Sequence, residues 1–340
     1  MIGPYMYNAD RRSTMGFVSG GMLKAQDISK TFIIRDCATH GVTLNENPIG
    51  GEFALQDSAG HITLGSKLTV HRLGYGAMRL TGPGIWGPPA DPAKAIAVLR
   101  RAVELGVNFV DTADSYGPNV NEELIAEALW PYPDDLVIAT KGGWERTGPG
   151  KWTHNATPQH LREAVEGSLK RLHVDHIDLY QLHIPDPIVA FEASLGTMIE
   201  MQQQGKIRLI GLSNVTQEHI ERARKLVPIA SVQNRYSFAD REWDYVVDYC
   251  TKNGIAFIPW FPLAAGKAAL QAVARIAQAH SATPMQVALA WLLRRSPEIL
   301  PIPGTSSVAH LEENVNATSL QLSQDEFDEL AEVDQLTFSR

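Results

Sequence analysis

Apolar positions along this chain alternate between two spacings. Short runs of consecutive apolar residues give way to longer stretches in which they recur every three or four positions. The runs are RLGYGAM (72–78), VNFVD (107–111), LVIATK (136–141), IDLYQLH (177–183), IRLIGLS (207–213), ASVQNRY (230–236), IAFIPW (255–260) and EILPIP (298–303). Runs this short and this apolar predict strands buried on both faces. The intervening stretches predict helices over 92–105, 122–129, 158–172, 191–204, 217–226, 241–253, 284–295 and 308–317, with an extra helix over 268–280. Asp91-Pro92, Thr157-Pro158 and Thr283-Pro284 each pair an N-cap residue with a proline at the first helical turn.

Eight strands, each followed by helix, predict an α/β fold of the (β/α)₈ barrel type. The roughly 285 residues beyond position 52 suit a barrel of about 250 residues with insertions. A doubly wound sheet is the alternative, but eight strands so evenly spaced favour the barrel. Ahead of the first barrel strand, ITLG-SK-LTV predicts a short N-terminal hairpin. Residues 1–52 show no sustained period and are rich in Gly, Asn, Thr and Ser. They are expected to form a weakly ordered extension to one domain spanning 53–340, and Met22 leaves open that translation starts later.

Composition narrows the setting. A net charge of −8 argues against nucleic acid or an anionic membrane as partner. Two cysteines, Cys37 and Cys250, make no disulfide framework. No apolar run reaches the roughly 18–20 residues needed to span a bilayer, and the N-terminus has no continuous apolar core of a secretory signal. A cytoplasmic protein is expected.

Asp111, Lys141 and His183 close successive predicted strands, and Tyr116 lies in the loop just after Asp111. Chemistry in such folds gathers at the carboxyl ends of the strands. A carboxylate, an ammonium, an imidazole and a phenol would meet there as a proton-donating group. Taken singly, each has a plainer use: a turn former, a loop lysine, a structural imidazole, a packed ring.

DTADSYG (111–117), ATKGG (139–143), YQLH (180–183), GLSN (211–214) and IPGTSSVAHLEENV (302–315) together resemble the aldo-keto reductase family, over about residues 53–335. The resemblance implies NADPH-dependent reduction of an aldehyde or ketone, with Tyr116 as general acid and Asp111, Lys141 and His183 as its partners. Hydride addition to a carbonyl leaves an alkoxide, so a proton must arrive as that charge develops. A free phenol, pKa about 10, gives it up reluctantly, and the Lys141 ammonium is expected to lower that value. A neutral His183 would donate a hydrogen bond to the substrate oxygen.

The same resemblance implies that Ser213, Asn214 and Gln233 bind the nicotinamide carboxamide and that Trp260 stacks on its ring, with Phe261 a competing candidate. Leu263 and Gly266 would pass near the pyrophosphate. Gly304, Thr305, Ser306 and His310 would sit at the adenosine-phosphate end, and Glu313 and Asn314 at the adenine. Gly304 and His310 stand where mammalian members often carry lysine and arginine, so NADH stays open beside NADPH. No strand–turn–helix unit built on Gly-x-Gly-x-x-Gly and no metal-ligand spacing is read in the chain.

Trp86, Trp144 and Trp152 are candidates for the substrate rim, with surface packing as the alternative. The run RLGYGAMRLTGPGIWGPP, with TPMQVALAWLL, is most similar to bacterial reductases that include a pyridoxal reductase branch. Pyridoxal or another small carbonyl compound is the expected substrate. Two other classes remain: a nucleotide-holding regulatory barrel with slow turnover, and an aldolase using Lys141 as a Schiff base.

Overall fold

The computed structural model describes residues 59–260 and 267–333. It begins with an antiparallel hairpin, β1 (His61–Leu64) and β2 (Leu68–His71). Gly65 and Ser66 turn it with φ of 53° and 57°, and the Lys67 N–H donates to the Leu64 carbonyl at 3.0 Å. The loop is three residues long, 65–67, and its first two are left-handed, a conformation that suits glycine at the first of them. Ile62, Leu64 and Val70 join an apolar cluster with Phe109, Val137, Leu179 and Leu209. These partners lie toward the beginnings of the next strands, so the hairpin packs against that end of the sheet.

The sheet comprises β3 (Tyr75–Gly76), β4 (Phe109–Asp111) and β5 (Val137–Gly142). After a second hairpin of β6 (Trp144–Gly148) and β7 (Lys151–His154), it continues with β8 (Ile177–Leu182), β9 (Ile207–Ser213), β10 (Ser231–Gln233) and β11 (Ala256–Phe257). The seven sheet strands pair in parallel in that order, while β6 and β7 pair antiparallel with each other.

Residues 298–302 fit between β11 and β3. The Phe257 N–H donates to the Glu298 carbonyl at 2.7 Å, Leu300 to Phe257 at 2.9 Å, and Gly74 to Pro301 at 2.9 Å. Pro301 and Pro303 have no N–H, so this eighth segment pairs by scattered bonds and one bridge, Phe257 to Ile299, instead of a ladder. The curled sheet fits a (β/α)₈ barrel. Its seam is tight: a Cβ on Gly76 would lie 2.6 Å from the Ile302 carbonyl oxygen, and one on Gly304 would lie 2.6 Å from the Gly76 oxygen. Glycine is needed at both because two backbones nearly touch.

Around the sheet run α1 (Pro92–Glu104), α2 (Val120–Leu129), α3 (Pro158–Leu172), α4 (Phe191–Gln203), α5 (Gln217–Arg224), α6 (Asp244–Asn253), α7 (Lys267–Ala279), α8 (Pro284–Arg295), α9 (Val308–Asn316) and α10 (Gln324–Glu332). The three residues preceding prolines do cap their helices. Asp91 accepts from the Lys94 N–H, Thr157 from His160, and Thr283 forms a reciprocal capping box with Gln286. In α3, Leu161, Ala164, Val165, Ser168 and Leu172 are buried at helical spacing. Each fully buried leucine or valine there stabilises the fold by about 1.5–3 kcal/mol.

The β6–β7 hairpin is absent from the pattern of apolar runs, because its strands are polar and largely exposed apart from Arg146 and Gly148. The extension over 1–52, Phe261, Leu263, Gly266 and the last seven positions lie outside the described residues. No helix among the described residues is long and apolar enough to cross a membrane.

Candidate active site

Asp111 ends β4, Lys141 is the penultimate residue of β5, and His183 follows β8 directly. Parallel register sets Lys141 beside Gln181 and Asp111 beside Gly76. The Lys141 side chain is fully buried, and its Nζ donates to Asp111 Oδ1 at 2.6 Å, to the Thr112 carbonyl at 2.8 Å and to Tyr116 Oη at 3.3 Å. All three ammonium protons therefore have acceptors. Asp111 Oδ2 accepts from Gln181 Nε2 at 3.1 Å and Gln233 Nε2 at 2.9 Å.

Charge follows from this geometry. Burial alone would pull the Lys141 ammonium down, but the Asp111 carboxylate and the Tyr116 oxygen outweigh it and hold its pKa above the usual lysine value. Burial raises the Tyr116 phenol; Lys141 opposes this, and Asp111 offsets much of the opposition. The net shift is upward, contrary to the expectation that Lys141 would lower it. The expectation counted the cation and left out the surrounding apolar wall. His183 is held well below its ordinary value by burial, then by Lys141 and Arg146, so it is neutral at pH 7.

These groups open into a cleft of about 870 Å³ lined by Asp111, Tyr116, Trp144, Trp152 and His183 on one side, and by Ser213, Asn214, Gln233, Trp260 and Gly304 on another. Trp144 and Trp152 stand edge-on to His183, their ring centroids each 6.4 Å from it. Trp86 does not line the cleft. It lies against Arg146, whose guanidinium is 5.9 Å from its ring centroid.

At the far wall the polar atoms are partly committed. Ser213 Oγ donates to the Gln233 carbonyl at 2.9 Å, and Asn214 Nδ2 donates to the His183 carbonyl at 3.0 Å. The amide oxygens of Asn214 and Gln233 carry no hydrogen bond among the described residues, and both residues line the cleft. Asn214 adopts φ 56°, a left-handed conformation asparagine tolerates. Thr305 is buried and its carbonyl accepts from Tyr75 Oη at 2.5 Å, while Ser306 and His310 are exposed. Glu313 is half-buried and Asn314 buried on α9. Ser307 precedes α9 without a side-chain cap on the first-turn N–H groups.

Two residues at the site carry no sequence signal of their own. Gln181, inside YQLH, braces Asp111. Arg146 donates to the carbonyls of Gly84 at 2.8 Å, Ile85 and Ser115 at 2.9 Å each, and Lys151 at 3.0 Å. Its guanidinium also lies 3.7 Å from the Trp152 ring centroid. One side chain thereby ties the loops around Gly84 and Ser115 to the β6–β7 hairpin. Its acceptors are backbone carbonyls, which sequence cannot distinguish. Arg79 also lines the cleft, with its Cγ 3.4 Å from where a Cβ on Gly304 would sit. Among the described residues no group of His, Cys, Asp and Glu could hold a metal ion.

Comparison with known proteins covers most of the chain. Residues 72–335 match the family model described as Aldo/keto reductase family. The pyridoxine 4-dehydrogenase of Escherichia coli is 49% identical over 276 residues, covering 79% of this chain and 96% of that protein. A thermostable aldo-keto reductase solved in complex with the inhibitor epalrestat superposes with a TM-score of 0.71 at 32% identity, covering 80% of this chain and 98% of that one. An aldo-keto reductase from Klebsiella pneumoniae solved with NADPH gives a TM-score of 0.68 at 25% identity, covering 79% and 93%.

Proposed function

This chain belongs to the aldo-keto reductase family, and from that premise we propose that it reduces an aldehyde or ketone to an alcohol, with Tyr116 as proton donor. One observation carries the reading. A fully buried ammonium bonds at once to a carboxylate and to the phenol at the end of an open cleft. Lys141 stabilises negative charge on Tyr116 as its proton leaves, Asp111 holds Lys141 in place, and neutral His183 donates to the substrate oxygen.

Aldo-keto reductases use nicotinamide cofactors, and the cleft suits one. When bound, the nicotinamide supplies the hydride. Asn214 and Gln233 offer amide oxygens to its carboxamide, Ser213 a hydroxyl, and Trp260 a flat wall. The start of α9, with Ser306, His310, Glu313 and Asn314, receives the adenosine end. NADPH is the assigned cofactor. A lysine at 304 is barred by the Gly76 carbonyl, and Arg79 at the same rim is the cation available to a 2′-phosphate. Equal efficiency with NADH would remove this preference.

Trp144, Trp152 and His183 make a rim suited to a flat ring. Together with the similarity to a pyridoxine 4-dehydrogenase, this makes pyridoxal the substrate to test first, with small aromatic aldehydes beside it. The reaction belongs to a single domain over 53–340 in a cytoplasmic setting. The decisive experiment is Tyr116→Phe assayed for NADPH oxidation with pyridoxal and nitrobenzaldehyde. Cofactor binding is expected to survive while reduction falls by about a hundredfold or more. Full activity in that variant would overturn the mechanism.

A further inference from the structure

We propose that Ser115, turned by the Asp114 carboxyl group, sets the tautomer of His183 and thereby decides whether that imidazole presents a proton to the substrate oxygen. The proposal rests on the roles assigned above to Tyr116 and His183.

A neutral imidazole carries one N–H, on either of two nitrogens, and the partner of the other nitrogen selects which. His183 Nδ1 faces Ser115 Oγ at 3.5 Å, and its Nε2 has no hydrogen bond among the described residues. The rings around it belong to Tyr116, at 5.8 Å between centroids, Trp144 and Trp152. Ser115 is thus the side chain placed to distinguish the two tautomers.

Ser115 is held by its backbone, its carbonyl accepting from Arg146 Nη1. The carboxyl group of Asp114, its neighbour in the chain, feels the Ser115 hydroxyl as well. The hydroxyl therefore lies between a carboxyl and an imidazole, with a single proton to give.

Asp114 differs from Asp111 in having no cation of its own. It is buried, and its Oδ1 has no hydrogen-bond partner. Glu122 of α2, Arg171 of α3, Tyr180 of β8 and Tyr116 of the same loop are the ionisable groups that act on it or feel it, and its N–H donates to the Lys141 carbonyl. Arg171 is already engaged, its Nε donating to Glu122 Oε2 at 2.7 Å. Burial, reinforced by the Glu122 charge, pushes the Asp114 carboxyl up to about 8.

Below that value Asp114 is a neutral acid and donates to Ser115 Oγ. The Ser115 hydroxyl then turns to His183 Nδ1, which keeps the imidazole proton on Nε2, toward the cleft. Above it, Asp114 has lost one proton to solvent and takes the Ser115 hydroxyl for itself. Ser115 Oγ then accepts from Nδ1–H, and Nε2 meets the carbonyl oxygen with a lone pair. Asp114 and Ser115 are positioning residues; neither touches the reacting atoms.

The test is long-range ¹H–¹⁵N spectroscopy of the histidine rings from pH about 6 to 9.5, with the His183 signal identified by its loss in His183→Gln. It is paired with kcat and KM for pyridoxal reduction by NADPH. In the wild type the Nε2–H form should give way to Nδ1–H as pH passes about 8, and kcat should fall about tenfold over the same interval with KM for NADPH unchanged. Asp114→Asn, whose amide donates to Ser115 at every pH, should hold Nε2–H and keep kcat level. Ser115→Ala should show mixed tautomers and a kcat about tenfold lower at neutral pH, and Ser115→Thr should restore both. A wild-type ring that keeps one tautomer throughout, or Ser115→Ala with wild-type tautomer and kcat, would overturn the proposal. The ring spectra need no turnover, so they stand apart from the Tyr116→Phe result.

Discussion

Lys141 Nζ lies 2.6 Å from Asp111 Oδ1 with both side chains out of contact with water. Such a pair is a weak source of net stability, because two charges lose their hydration to form it. Breaking it from one side is another matter. Lys141→Met leaves the Asp111 carboxylate buried with only the amides of Gln181 and Gln233 for company. The variant is expected to lose about 3–5 kcal/mol of stability in denaturant titration. It should also lose nearly all reductase activity while still folded.

The phenol of Tyr116 is held above its ordinary value, chiefly by burial. Reduction uses the protonated phenol and alcohol oxidation uses the phenolate. The oxidation rate constant should therefore keep rising past pH 10 instead of levelling near neutrality. A pH profile of pyridoxine oxidation with NADP checks this, and a plateau below pH 9 would contradict the placement of Tyr116.

Gly142 ends β5 with no room beside it. A Cβ there would fall 2.0 Å from Tyr180 Oη and 3.1 Å from its Cζ. Gly142→Ala should destabilise by about 1–3 kcal/mol through overpacking. Tyr180 Oη is itself buried without a hydrogen-bond partner, so Tyr180→Phe alone should be neutral or stabilising. The double variant should recover part of the alanine loss, a coupling that a double-mutant cycle measures directly.

Arg146 satisfies four carbonyls, from two loops and the start of β7, and stacks on Trp152. Lysine cannot reproduce a planar fork of five donors. Arg146→Lys is expected to raise KM for aromatic aldehydes and lower kcat/KM by about tenfold, with a smaller effect on kcat. Steady-state kinetics with pyridoxal and with a short aliphatic aldehyde would separate rim loosening from general damage, since the aliphatic substrate should be less affected.

The helices were legible because their apolar spacing and their Asp-Pro and Thr-Pro starts are local properties. Asp111, Lys141 and His183 were legible because each punctuates an apolar run, and Tyr116 because it follows within the same short motif. What sequence hid depends on distant partners. Pro301 and Pro303 reduced the eighth strand to scattered bonds, and the β6–β7 hairpin lacks the apolar alternation that announces a strand. Gly304 read as a missing lysine; the structure shows a position where the Gly76 backbone forbids any side chain. Trp86 read as a rim residue equal to Trp144 and Trp152, yet only the latter two line the cleft, and Trp86 lies against Arg146. The Tyr116 phenol moved upward because its environment is set by residues far away in the chain.

The β1–β2 hairpin gives the barrel interior a floor. Ile62, Leu64 and Val70 lie with Phe109 and Leu209 under the polar layer formed by Lys141, Asp111, Gln181 and Gln233. For the proposed reaction, this apolar layer leaves the carboxyl ends of the strands as the side for substrate to enter. Product would then leave by the same side, and a long molecule would have to present its carbonyl at an end. Chain ends and compact rings are the shapes such a chamber can serve.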